Sequence, residues 1–235
     1  MPDTPQTAAT TTLRLRALPA GAAGRALCLR AGDILVAVNG RPFAGDAAAL
    51  AKRFAARRGQ ALALGFRRGD QVLTVLADDP APGQWEVIPA PPPEEGLARI
   101  DPDLVRNWEI LRAIDGTYDL HPLRPSLLAL LAPPLWLLQM RLWVPFATLV
   151  TALAAGALVA LWVPLLVWGA SVLHIRHAAP AHVRLDRRAR GLAIHAVHAA
   201  RTEAEAHAIH RRLHPADRFL FETPPALAQG EPEKA

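Results

Sequence analysis

Residues 29–43 read LRAGDILVAVNGRPF, and this stretch decides the fold of the first third of the chain. Gly32-Asp33 predicts a turn, because Gly accepts positive φ angles and Asp bonds to its own backbone. Ile34 to Val38 is short, apolar and rich in β-branched residues, which indicates a buried strand. Asn39-Gly40 is typical of a tight hairpin, since a type I′ turn requires positive φ at both central positions.

The residues around this stretch predict further strands and one helix. Residues 13–17 alternate apolar and basic side chains, which indicates a strand with one exposed face. Asp46 is a suitable N-cap for a helix over 47–58. Residues 62–66 and 72–76 flank a Gly-Asp turn and predict a second hairpin.

This order of strand, hairpin, helix and hairpin resembles PDZ domains, particularly the bacterial kind attached to envelope proteases. The resemblance covers roughly residues 13–78 and implies a peptide-binding groove between the 13–17 strand and the 47–58 helix. It places groove contacts at Leu15, Ala47 and Ala51. The chain departs from the family before Leu13, where no first strand and no carboxylate-binding loop are visible. Residues 84–88 are a candidate replacement strand from the other end.

A long apolar block follows in the second half of the chain. The sequence has 235 residues, of which 51% are hydrophobic, and a formal net charge of +5. Between residues 127 and 175 the only charged residue is Arg141. Because a helix needs about 20 apolar residues to span a bilayer, we expect two membrane passes within 126–176. The block divides either into passes over 127–151 and 153–175, or into a re-entrant 127–140 helix followed by two short spans.

The edges of the apolar block carry residues suited to a lipid interface. Trp136, Trp143, Arg141 and Arg176 are the expected lipid-facing anchors. The elements Pro134-Leu-Trp136 and Gln139 to Trp143 resemble a group of small uncharacterised bacterial inner-membrane proteins. The basic segment that follows predicts a cytoplasmic side, and no secretory signal is seen in residues 1–20. We therefore expect a multi-pass protein of the bacterial inner membrane with both termini in the cytoplasm.

The sequence thus predicts an α+β protein, in which a small PDZ-like β-barrel or sandwich with one or two helices precedes an α-helical membrane hairpin and a short basic tail. The predicted segments are a disordered 1–11, a PDZ-like domain over 12–79, a Pro-rich linker over 80–95, a juxtamembrane amphipathic helix within 96–125, the membrane helices over 126–176, a basic His/Arg-rich segment over 177–214 and a disordered 215–235.

Candidate chemistry is sparse. His207, His210 and His214 lie at helical spacing and are weak candidates for metal ligands, although no closed four-ligand pattern accompanies them. No H-E-x-x-H run, activated serine or phosphate-binding loop is present, so we expect neither an enzyme nor a cofactor. The single Cys28 has no partner for a disulfide within the chain. The basic tail favours anionic lipid over nucleic acid.

These observations predict a membrane-anchored adaptor or scaffold that binds protein partners by peptide or strand addition. The expected partners are therefore membrane lipid and another protein. The alternative is an accessory subunit of a membrane transporter or protease complex, recognised through its helical hairpin.

Overall fold

The structure is a computed structural model that describes residues 10–92 and 96–222. The strands of this part are β1 (Thr11–Ala17), β2 (Ile34–Val38), β3 (Arg41–Pro42), β4 (Leu62–Arg68), β5 (Gln71–Ala77), β6 (Gln84–Pro89), β7 (Arg106–Arg112), β8 (Thr117–Pro122), β9 (Ala193–Ala200) and β10 (Arg218–Phe219). The helices are α1 (Ala23–Ala26), α2 (Ala47–Ala56), α3 (Leu127–Leu131), α4 (Pro133–Gln139), α5 (Trp143–Val159), α6 (Val163–Ala189) and α7 (Glu203–Leu213).

The first sheet has the strand order β5-β4-β2-β1-β6, and β3 pairs with β2. The strands and the helix predicted around residues 13–76 are confirmed, and Asp46 caps α2 by accepting the amide of Ala49 at 2.8 Å. The apolar faces of the strands and of α2 form one buried core, which includes Leu13, Leu35 and Leu50.

The Gly32-Asp33 and Asn39-Gly40 turns also contact segments that are distant in sequence. Asn39 and Gly40 have φ angles of 55° and 72°, as the hairpin requires. A Cβ atom on Gly40 would lie 2.0 Å from the carbonyl oxygen of Ala98, so only glycine fits beneath that segment. The Asp33 carboxylate is 1% exposed and accepts two hydrogen bonds from Arg68, at 2.6 and 2.8 Å. Both turns therefore also anchor parts of the chain distant in sequence.

The second sheet has the order β10-β8-β7-β9, and the helices α3 to α6 lie in sequence between β8 and β9. Because side chains alternate across a strand, Ile110 and Tyr118 share one face while Glu109 and Asp119 share the other. The apolar face packs with Ala206 and Ile209 of α7. The acidic face bonds to α6, where Arg184 binds Glu109 and Arg187 binds Asp119.

The juxtamembrane helix predicted within 96–125 is wrong. Residues 106–112 form β7, which pairs with β8 on one side and β9 on the other. Leu104 and Ile114, which stand at helical spacing with the apolar residues between them, are 61% and 104% exposed. Each ladder bonds alternate residues, so the two ladders together satisfy the backbone groups of this strand on both sides. This pairing overrides the helical spacing of its apolar residues.

Three other predicted segments contain regular structure. The Pro-rich linker over 80–95 includes β6, and the basic segment over 177–214 includes the end of α6, β9 and α7. The tail over 215–235 begins with β10. Residues 1–9 of the predicted disordered N-terminus, residues 93–95 of the linker and residues 223–235 of the tail lie outside the described residues.

The membrane hairpin in the predicted fold class is wrong. Within 10–92 and 96–222, no helix combines the length and the apolar character needed to cross a membrane. The apolar block is divided among four helices, and α5 has only 17 residues. Along α6 the apolar run ends at Leu173, because His174 and Arg176 follow and Pro180 interrupts the helix interior. This finding also overturns the two passes over 126–176 and the inner-membrane localisation that was inferred from them.

We expect Arg187→Ala to lower the free energy of unfolding by about 3 kcal/mol, because the substitution leaves Asp119 buried without its cation. Arg188→Ala is the matched control, since it removes the same charge at the next, exposed position of α6 and should cost less than about 0.5 kcal/mol. Urea unfolding followed by circular dichroism measures both. Equal losses in the two variants would contradict a role for the Arg187–Asp119 pair in holding α6 on the sheet.

Candidate functional site

Strand β6 forms one edge of the first sheet and pairs antiparallel with β1. The register places Val87 opposite Leu13 and Trp85 opposite Leu15. The strand predicted at 84–88 is therefore present, and it lies along the side of β1 that faces away from β2. No other strand of the described residues lies along the outer side of β6.

Hydrogen-bond alternation turns specific peptide groups of β6 outward. The amide of Ala90 donates to the carbonyl of Thr10 at 2.7 Å, which makes these two residues a hydrogen-bonded pair. Every second residue along an antiparallel ladder is bonded in this way, so Trp85, Val87 and Pro89 point their backbone groups away from β1. Pro89 fits this pattern, because an outward position needs no N–H for the ladder.

The side chains of β6 hold this edge in place. The Trp85 ring stacks on Phe66 with 6.2 Å between the ring centroids, and its Nε1 donates to the carbonyl of Pro80 at 2.9 Å. Glu86 pairs with Arg14 at 2.8 Å on the opposite face. Val87 has no such cover and is 54% exposed. The edge thus presents a fixed backbone with one exposed apolar side chain.

The three residues predicted to line a peptide groove are not equivalent in the structure. Leu15 is fully buried in β1, which has β2 on one side and β6 on the other. Ala47 and Ala51 are exposed on α2, whose Leu50 and Phe54 face the core. An extended peptide would therefore meet β6 and not β1.

A second group of polar side chains lies where α7 covers the second sheet. Asp217 is 8% exposed and accepts two hydrogen bonds from Arg112, at 2.6 and 2.8 Å. Its Oδ2 also lies 3.0 Å from Nε2 of the fully buried His210. The hydrogen bonds from Arg112 and His210 outweigh burial and hold the pKa of Asp217 below its usual value. The group therefore fastens the end of the described chain to β7.

The histidines predicted as weak metal ligands have separate partners. His207 bonds through Nδ1 to the hydroxyl of Tyr118 at 2.8 Å, while His210 contacts Asp217. His214 Nε2 lies 3.2 Å from Nε2 of His195. Across the part of the chain that the structure describes, no group of three or more His, Cys, Asp or Glu residues is arranged to hold a metal ion. The three side chains therefore do not form one site.

Sequence reasoning missed two buried residues, Asp217 and His198. Asp217 meets Arg112 across 105 residues, and no local pattern signals that contact.

The four predicted lipid anchors have different environments. Trp136 is 3% exposed inside the helical cluster, whereas Trp143 is 59% exposed. Arg141 lies over the ring of Phe221 at 4.1 Å, and Arg176 is exposed.

No family model, no curated protein and no solved structure matches this chain. The resemblance to PDZ domains therefore stays a prediction that rests on residues 13–78.

Burial of His198 makes the stability of the protein depend on pH. The ring is 4% exposed, and its burial, with the nearby His210 and His195, lowers its pKa from 6.5 to about 4. Between these two values the unfolded chain binds more protons than the folded one, so stability is lost as pH falls through this window. We expect the free energy of unfolding to drop by roughly 2 kcal/mol from pH 7 to pH 4.5 on account of this group.

The measurement is urea unfolding at a series of pH values between 4.5 and 7. His198→Leu removes one titrating group and should reduce this dependence by roughly 2 kcal/mol, while His210, whose pKa burial also lowers to about 4, still contributes. His177→Leu, at an exposed position of α6, should leave the dependence unchanged. The carboxylates Asp217 and Glu109, whose pKa values are lowered, act mainly below this range. An identical slope in all three proteins would contradict the assignment to His198.

Proposed function

We propose that the chain is a protein-interaction module that takes up an extended segment of a partner along β6. One observation carries the proposal: β6 is a sheet edge whose outward peptide groups, at Trp85 and Val87, are held in place by the Trp85 stacking and the Glu86 ion pair. Added strands gain affinity from such backbone groups and specificity from alternate side chains. The proposed mechanism is therefore addition of a peptide or strand to β6, and it involves no membrane anchor.

Three further features support the proposal that β6 accepts a single added strand. Pro89 removes one donor at the end of β6 and so limits continued edge-to-edge pairing. Val87 supplies an exposed apolar contact in the middle of the strand. The opposite edge strand of this sheet, β5, lies against β7 and β9 of the second sheet, which leaves β6 as the accessible end.

The test is a selection from a random-peptide phage library on the full chain, followed by fluorescence-polarisation titration of the selected peptide. Val87→Pro removes one outward N–H while leaving the β1 ladder intact, and we expect it to weaken binding about tenfold, since one lost hydrogen bond costs about 1.4 kcal/mol.

Val87→Thr is the control, because it keeps the N–H and a similar shape, and it should bind within about threefold of the unchanged chain. Circular dichroism checks that both variants fold. Failure to select any peptide, or equal binding by Val87→Pro and the unchanged chain, would contradict strand addition at β6.

A second candidate function is association through α5 and α6. It is favoured by the large apolar side chains that this part of the chain exposes, such as Leu158 of α5 and Leu161 in the turn before α6, each 90% exposed. A contiguous apolar surface of this kind marks an interaction site. Under this second function a partner recognises the chain through α5 and α6. Val87→Pro should then leave the association unchanged, because Val87 lies in β6.

A further inference from the structure

The helices α5 and α6 form an antiparallel hairpin whose outer part is apolar on every side. Residues 143–173 contain no Asp, Glu, Lys or Arg. Seven of their side chains are between 61% and 90% exposed, namely Val144, Leu158, Val159, Leu161, Trp162, Leu165 and Leu166. A helix that is apolar all round is normally covered by other groups. In the described chain these seven side chains are not covered.

The same hairpin also contains a groove. Its volume is about 380 Å³, and Leu149, Ala152 and Val167 lie in its wall. The hydroxyl groups of Thr148 and Ser171 in this wall donate to backbone carbonyls of their own helices, at 3.0 and 2.7 Å. His174 and His182 also line this groove, and their Nε2 atoms lie 2.8 Å apart, so the two rings pair with each other. The groove is therefore mainly apolar, because its polar side chains already have partners within the chain.

The exposed apolar side chains of the hairpin, called the ridge below, and the groove lie on the same pair of helices, so a second copy can offer each of them an apolar counterpart. A two-fold axis places the ridge of one copy against the groove of the other and repeats that contact in reverse. Two antiparallel helix pairs joined in this way form a four-helix arrangement, in which apolar faces are buried against each other. No charge repulsion opposes the contact, since residues 143–173 are free of charged side chains.

The available area is sufficient for a stable dimer. A Leu or Val side chain exposed to this degree presents roughly 100 Å² of apolar surface. The seven exposed side chains and the groove wall together therefore offer about 800 Å², which is the area that each partner of a standard interface buries. A monomer rarely leaves a patch of this size exposed.

We propose that a second copy of this chain covers the α5–α6 hairpin, so that the protein is a two-fold dimer through these helices. This interface is separate from the β6 edge, and the two assignments fail or hold independently. A charged partner does not fit the surface, because neither ridge nor groove offers a counter-charge within residues 143–173.

The test is sedimentation-velocity ultracentrifugation of the full chain in detergent-free buffer at micromolar concentration. We expect a species of twice the 25.3 kDa chain mass. Leu161→Glu and Leu165→Glu each place a charge in the interface and should give the monomer mass. Ile114→Glu is the matched control, since Ile114 is fully exposed in the β7–β8 turn, and it should remain a dimer.

Circular dichroism establishes that each variant folds, and flotation with mixed phosphatidylcholine and phosphatidylglycerol vesicles provides the competing outcome. A monomeric chain that floats with these vesicles would show that lipid, and not a second copy, covers the hairpin. A dimer that persists in both Glu variants, or that dissociates in Val87→Pro, would also overturn the proposal. Loss of the dimer in the two Glu variants alone supports it.

Discussion

The ladder between β7 and β9 is the constraint on which the second half of the molecule depends. It joins residues 106–112 to residues 193–200, so the chain must travel out through four helices and return to the same strand. That return fixes where α6 ends, and it explains why α5 and the first part of α6 project as a hairpin. The energetic cost of ordering so long an excursion has to be offset where the chain returns to the sheet.

Buried charge supplies part of that compensation. Glu109 and Asp119 point from the sheet towards α6, and each would be costly to bury alone. Arg184 and Arg187 pair with them. The nearby His121, at 3.3 Å, and the hydrogen bonds from Arg184 outweigh burial and lower the pKa of Glu109. The C-terminal half of α6 is therefore specified by ion pairs, whereas residues 163–173 contain no charged side chain. One helix thus has two kinds of surface with different partners.

The β6 edge follows from a similar long-range pairing. Strand β6 covers β1, which would otherwise be the edge, and so moves the accessible peptide groups from residues 13–17 to residues 84–89. The proposed peptide contact moves with it, from Leu15 to Val87. Ala47 and Ala51 of α2 are small and exposed, so specificity at the proposed edge has to come mainly from β6 itself.

The local elements of the first sheet can be predicted from the sequence alone. The Asn39-Gly40 turn, the Asp46 cap and the β-branched run at 34–38 each follow from backbone preferences that act within a few residues. Much of the second half was predicted incorrectly. The apolar spacing of residues 104–114 predicted a helix, and the uncharged block after residue 126 predicted membrane passes, because such patterns record how apolar a segment is but not what pairs with it.

Three features of the fold depend on long-range contacts. Residues 106–112 become the strand between β8 and β9, Asp217 meets Arg112, and β6 completes the first sheet. Each of these contacts joins residues that are about 70 to 105 positions apart. Their stability comes from ladders and ion pairs that exist only once both partners are present. A local pattern therefore predicts a turn or a cap, but it does not predict which distant strand provides the remaining hydrogen bonds.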